Sequence, residues 1–311
     1  MAGRHAYPRR RPSNALVVGG VAVLVALAAP AVAVVRSGGA VPLPGVSALD
    51  TVRPAQAGAT SSGGSPSSAA RTVGSSTTAT SSRSRDRAVR AAVTTALRGR
   101  RATVDLAITD VAGRQVVHVG AGKAVRTASI VKLLVLRAAQ ARGPLTRTQR
   151  VLATRMIARS DNAATSRLWR MVGGNRAVAR AAAAAGMKHT TQVPYLLMRW
   201  DGWQTTAEDQ VRLLTSIARG RSAADRYTRS LMARVVPSQR WGVGSVRGAT
   251  GVKNGWLPVR GRWIVNSDGC VHRGSRTLCL SVLSTGSRTF AEGVRTVERA
   301  AAAAVGAWMR R

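Results

Sequence analysis

The sequence predicts an α+β fold (an α/β sandwich): an antiparallel sheet of about five strands, flanked by terminal helices, with a helical lobe inserted between its first and last strands. Three observations carry this. The stretch ATVDLAITDVAGRQVVHVG alternates apolar and polar residues and turns at Ala112–Gly113, the pattern of a hairpin. Helical periodicity then runs, with interruptions, from about residue 129 to about residue 218. Strand-like segments return in GATGVKNGW, RWIVNSDGCV and TLCLSVLSTG, before an alanine-rich helix over about 289–309.

Taken in chain order, the start is basic (MAGRHAYPRRRPSN, residues 1–14) and is followed by an uncharged apolar run, Ala15 to Val35. The run is long enough to span a membrane, and its Ala31–Ala33 pair resembles a cleavage region, so a signal peptide and a retained anchor both remain open. Either one makes the rest of the chain exported, as a secreted protein or as a domain held outside the cell membrane. Residues 36–84 are rich in Ser, Thr, Gly and Pro and cannot supply a core; they read as a disordered stalk, with the folded domain over 85–311. Within that domain helices are expected over about 86–97, 129–142, 147–158, 162–172, 175–185 and 206–218, the last with Thr205 and Glu208 at capping-box spacing. Cys270 and Cys279 flank a turn at Gly274–Ser275, which sets them opposite each other across a hairpin and, in an exported protein, predicts a disulfide.

Lys and Arg number 48 against 12 Asp and Glu, a formal net charge of +36. That charge favours polyanionic surroundings such as an anionic cell-wall polymer or lipid; no recognition element for specific nucleic-acid binding accompanies it. Nearly all of it is arginine, the lysines being Lys123, Lys132, Lys188 and Lys253. Arginine keeps its proton at neutral pH, whereas a lysine whose pKa is lowered does not, so each lysine is a candidate for chemistry. With 2 Cys and 4 His, no zinc spacing appears, and neither a metal nor a cofactor is expected.

Two of the lysines sit in patterns. In TASIVKLLVLRAAQAR, Lys132 follows Ser129 by one helical turn on an otherwise apolar face, placed to take the hydroxyl proton once desolvation lowers its pKa. SDNAATSRLW places Ser160, Asp161 and Asn162 at a helix start: Asp161 to brace the loop, Ser160 to relay a proton to a leaving nitrogen, Asn162 to meet a substrate amide and Lys132. GVKNGW offers Lys253 to attract a substrate carboxylate, and Gly255 to leave room beside the strand. Backbone N–H groups of Ser129 and Trp256 would form an oxyanion hole.

The ordered set S-I-V-K, S-D-N and K-N-G resembles the serine β-lactamase and penicillin-binding-protein superfamily, most closely its class A form. The resemblance covers about residues 85 to 310 and implies a β-lactamase/transpeptidase-like fold and a monomer. By it Ser129 is the acylated nucleophile, Lys132 its proton partner and Ser160 the relay, while Asn162, Lys253, Asn254 and Gly255 bind a β-lactam or a peptidoglycan-derived small molecule. This chain also departs from the class A pattern. No acid occurs between His189 and Trp200, where the class carries the glutamate that activates the deacylating water; the next carboxylate is Asp201, late for the role. Only 30 residues separate Ser129 from Ser160, roughly half the class interval, and Asn254 stands where Thr or Ser is usual. The expectation is therefore an exported serine hydrolase that is acylated at Ser129 through Lys132 and released slowly. The alternative is a weak or inactive wall-binding or β-lactam-sensing protein that keeps the fold.

Overall fold

The computed structural model describes residues 73–113 and 115–310, with side chains from Ser82 onward. The segments read above as basic start, apolar run and most of the stalk lie outside the described residues. The chain forms α1 (Val73–Ala96), β1 (Thr103–Asp110), β2 (Val116–Val119), β3 (Val125–Arg126), and a 3-10 turn at Ala128–Val131 that runs into α2 (Lys132–Gln140). There follow α3 (Arg147–Ala158), α4 (Asn162–Met171), α5 (Gly174–Ala184), β4 (Thr191–Gln192), β5 (Trp203–Thr205), α6 (Ala207–Arg219) and α7 (Ala223–Ala233). Strands β6 (Ala249–Val259), β7 (Arg262–Arg273) and β8 (Arg276–Ser287) lead to α8 (Phe290–Met309).

The main sheet has five strands in the order β2-β1-β8-β7-β6, every pair antiparallel, and β3, β5 and β4 form a small second sheet. Alternation divides the residues of the main sheet between two faces. Leu106, Ile108, Val265, Leu280 and Val282 point to one side, where they meet Val297, Ala300, Ala301, Ala304 and Trp308 of α8, with Val89 and Val93 of α1. The small alanines of α8 let its backbone lie close to the sheet. The other face carries Ala107 and Leu283 against Ile130, Ala207 and Val211. The inserted lobe has its own core, built from Leu133, Leu134, Leu136, Met156, Ile157, Leu168 and Val178, and continuous with Leu213, Leu214 and Leu231 of α6 and α7. The site lies where these units meet: the start of α2, the α3–α4 corner and β6.

Local chemistry explains the differences from the expected boundaries. Helix α1 begins at Val73, so it includes residues 73–84 that composition assigned to the stalk; past Gly74 that stretch contains no Gly or Pro to stop a helix. Helix α6 is capped by Thr206, whose hydroxyl accepts from Asp209 N at 3.3 Å, one residue later than the expected Thr205–Glu208 pair. Thr205 instead lies in β5 and shares its buried hydroxyl with Thr190 and Gln210. Helix α7 was not anticipated, although Ser222 and Asp225 form a full capping box at its start. Among the described residues no helix is long and apolar enough to cross a membrane; the Ala15–Val35 run is not among them.

Cys270 on β7 and Cys279 on β8 are register partners joined by a disulfide, across a turn at Gly274–Ser275. Cys279 is fully buried at the edge of the lobe core. The bond closes a short loop, which limits its effect on the unfolded chain. The double variant Cys270→Ala/Cys279→Ala is expected to lose about 2–3 kcal/mol in urea unfolding; an unchanged midpoint would show that the hairpin needs no staple.

Candidate active site

Ser129 stands on the 3-10 turn that leads into α2, and its surroundings fix that turn in place. Thr127 N and Thr127 Oγ1 both donate to Trp203 O, at 2.9 and 3.1 Å, which ties the turn to β5. From β7, Asn266 Nδ2 donates to Arg126 O at 2.8 Å and to Thr127 O at 3.3 Å. Ala128, just before Ser129, has φ of 47°, a left-handed conformation that non-glycine residues adopt only under constraint. Gly255 of β6 packs directly on this turn. A Cβ there would lie 2.7 Å from Ser129 N, 2.8 Å from Thr127 O and 2.9 Å from Ile130 N. The glycine thus permits the contact that sets the strand beside the backbone N–H of Ser129.

Lys132 is fully buried, and its Nζ donates to Ser160 O at 2.7 Å, Ser160 Oγ at 3.2 Å and Asn162 Oδ1 at 2.7 Å. It forms no hydrogen bond with Ser129 Oγ: the proton partner expected for Ser129 is drawn to the α3–α4 corner, where three oxygens converge. Burial lowers its pKa from the usual lysine range to about 7, against the opposing pull of Asp161 and Asp201. Lys253 on β6 is also fully buried, donating to Ser160 Oγ at 3.0 Å and to Asn254 O at 2.8 Å. Burial first, and the nearby Lys132 charge second, depress its pKa well below the usual range. A single hydroxyl, Ser160 Oγ, therefore lies between two buried amines.

The corner that presents Ser160 is itself constrained. Ser160 has φ of 57°. Asp161 caps α4, its Oδ1 accepting from Ala164 N at 2.9 Å while Oδ2 accepts from Arg155 at 2.8 and 2.5 Å. The backbone N–H of Ala164 and the guanidinium hold that carboxyl below its ordinary pKa. Asp161 is thus a brace. Asn162, the first residue of α4, is exposed and gives its carbonyl oxygen to Lys132.

Asn254 does not face the cleft. Strand alternation turns it to the opposite side of the sheet from Lys253, where Nδ2 donates to Gln239 O at 2.9 Å and Trp241 O at 3.0 Å. Its amide holds the 237–245 segment against β6 and is removed from the substrate-binding set. The Trp256 ring takes the same side, in an aromatic cluster with Trp241 and Phe290 at 5.8 and 5.5 Å; only its backbone remains for the oxyanion hole. Asp201 is tied by two bonds of 2.8 Å from Arg199, and the hydrogen bond from that guanidinium keeps its carboxyl below the ordinary range, which makes it a poor base.

Three residues not singled out from sequence join the site. The ring of Trp200 lies 4.8 Å from Lys132 Nζ and is held there by Nε1 donating to Ser166 Oγ at 3.0 Å. Asn266 clamps the turn that carries Ser129. Asp268, opposite Lys253 in strand register, is fully buried. The signal for Asp268 was a lone acid inside an apolar strand, RWIVNSDGCV.

The family model described as "Beta-lactamase enzyme family" matches residues 142–308, a span that starts after Ser129 and Lys132. The fold is similar to that of a class A beta-lactamase from Bacteroides cellulosilyticus DSM 14838, with a TM-score of 0.63 and 16% identity over 73% of this chain and 99% of that one. It is likewise similar to a class A beta-lactamase from Mycobacterium abscessus (TM-score 0.59, 15% identity, 71% and 99% covered) and to a beta-lactamase from Sphaerobacter thermophilus DSM 20745 (0.57, 20%, 72% and 98%). None of the curated proteins compared with the chain matches it.

The contact at Gly255 yields a direct test. Gly255→Ala must push the strand and the Ser129 turn apart, and a shift of this size should slow any reaction at Ser129 by about 100-fold or more while circular dichroism stays native. An alanine variant that reacts at the original rate would show that the close approach has no part in chemistry.

Proposed function

Because the chain belongs to the beta-lactamase enzyme family, we propose that it is a serine hydrolase acylated at Ser129 by a β-lactam or a related cell-wall amide. One observation carries the reading: the Ser160 hydroxyl lies within hydrogen-bond reach of two fully buried lysines, Lys132 and Lys253, beside the turn that holds Ser129. Two buried ammonium groups repel each other and are poorly solvated, so one neutral amine and one ammonium is the favoured state near neutral pH.

In that state the neutral amine of Lys132 takes the Ser129 proton as Ser129 Oγ attacks the carbonyl carbon. The tetrahedral oxyanion is received by the backbone N–H groups of Ser129 and Trp256. When the carbon–nitrogen bond breaks, Ser160 gives its proton to the leaving nitrogen and regains one from the Lys132 ammonium, leaving Lys132 neutral again. Lys253 stays charged throughout and attracts the substrate carboxylate. Catalytic hydrogen bonds are often long before substrate binds, and Lys132 approaches Ser129 Oγ as the complex tightens.

Release from the acyl-enzyme is slow in this reading. The flank of Lys132 Nζ toward the 186–204 loop is covered by the Trp200 ring, and the nearest loop carboxylate, Asp201, is engaged by Arg199. Neither group activates a water. Residues ahead of the described domain carry the export reading given above.

The reading is tested by incubating the protein with a fluorescent penicillin and following intact mass with time. The expected result is a single adduct, lost in Ser129→Ala, that persists long after free penicillin is removed; no adduct at any pH would refute acylation, and rapid release would refute slow turnover. The rate of adduct formation should fall about tenfold per pH unit below about 7, as Lys132 gains its proton. A rate flat from pH 5 to 7 would exclude Lys132 as the base.

A further inference from the structure

The two buried lysines differ in one respect: Lys253 has a fully buried carboxyl group as its strand neighbour, whereas the carboxylates that act on Lys132, Asp161 and Asp201, are each held by an arginine. Strands β6, β7 and β8 place Lys253, Asp268 and Ser281 side by side in register, hence on one face of the sheet. All three are fully buried. Neither carboxyl oxygen of Asp268 has a close hydrogen-bond partner; the neighbouring Ser281 hydroxyl and the ammonium of Lys253 are the groups that favour its charge, and of these only Lys253 carries a charge of its own. A buried carboxylate is costly alone and a buried ammonium is costly alone; together they are tolerated, either as an ion pair or, with one proton moved, as a neutral pair.

We propose that Asp268 is a positioning residue for acylation: its carboxylate holds the proton shared by the two buried amines on Lys253, and so leaves Lys132 neutral to accept the proton of Ser129. The inference rests on the acylation reading above and adds to it the choice between the lysines. With Asp268 ionised, Lys253 remains an ammonium and donates to Ser160 Oγ. The Ser160 O–H must then point away from Lys253, toward Lys132 or the leaving nitrogen, which is the direction the relay requires. Without that charge the amines compete on similar terms, and a proton on Lys132 blocks the base.

Few groups face Asp268. Burial is the largest effect on it and raises its pKa to about 7, opposed by the Ser281 hydroxyl and then by the charge of Lys253 on β6. Ser281 faces it from β8 and carries no charge. Lys132 of α2 lies beyond Ser160. The charged residues of α6 are occupied elsewhere: Arg212 pairs with Glu208 and Asp209, and Asp209 accepts from Lys188 N, His189 N and Thr190 Oγ1.

The test uses Asp268→Asn in the full chain, with the pH profile of fluorescent-penicillin labelling as readout. Loss of the carboxylate should move the basic limb of the profile, set by Lys253, down by about one to three pH units, with labelling at pH 8 reduced about tenfold or more; Ser281→Ala, which keeps the carboxyl but removes a neighbour that favours its charge, should move that limb the same way by less. A basic limb unmoved in Asp268→Asn would overturn the proposal. A second measurement does not depend on labelling or on that variant folding alone. The double variant Lys253→Met/Asp268→Asn removes both charges, so its thermal midpoint should recover most of what Asp268→Asn loses; a double variant no more stable than Asp268→Asn would also overturn it. If the unsubstituted chain is never labelled, the acylation reading fails, while the thermal comparison still decides whether Asp268 and Lys253 are coupled.

Discussion

The structure of the site depends on placing two buried lysine amines around one serine hydroxyl. An ammonium group loses most of its solvation on burial, and a second one nearby adds repulsion. Lys132 is offset by three oxygen acceptors from the α3–α4 corner, and Lys253 by Ser160, its neighbour's carbonyl and the carboxyl of Asp268 across the strand. These requirements account for the arrangement of the surrounding elements. The lobe must deliver Ser160 and Asn162 to the start of α2, and β6 must run against the same turn. Gly255 makes the second contact possible, and the left-handed backbone at Ser160 the first.

The chain's charge imbalance makes its few acids informative. With 12 acidic residues against 48 basic ones, a carboxylate taken from the surface is a marked choice. Asp161 caps α4 and pins Arg155; Asp209 gathers the backbone after α5; Asp225 caps α7 and pairs with Arg137. Each of these has donors to spare. Asp268 has only the Ser281 hydroxyl and the ammonium of Lys253 beside it, although it is as buried as any of them. That contrast separates a carboxylate that braces the fold from one whose partner is a buried amine.

Much of this organisation was legible in the sequence. The order of strands and helices followed from periodicity, and the three short motifs marked Ser129, Lys132, Ser160, Asn162, Lys253 and Gly255 because their residue types stand out against an arginine- and alanine-rich background. The N-terminal extension of α1 and the presence of α7 were missed for local reasons. A Ser/Thr-rich stretch has weak helix propensity, and α7 has a polar, arginine-bearing surface that leaves only Leu231 and Met232 as its buried apolar residues. The capping box of α6 was displaced by one residue because Thr205 and Thr206 both have the right side chain, and only the turn of the chain after β5 selects between them.

By itself, then, the sequence determined most of the elements that form and which side chains are chemically unusual, because periodicity and residue type are local properties. Tertiary structure alone decided which of those side chains meet. It turned Asn254 away from the cleft, since alternate residues of a strand face opposite sides. It directed Lys132 to Ser160 rather than Ser129, since three oxygens converge there and one hydroxyl does not outweigh them. It also placed Trp200 over Lys132 and Asp268 opposite Lys253, contacts between residues far apart in the chain that depend on how lobe and sheet pack and on strand register.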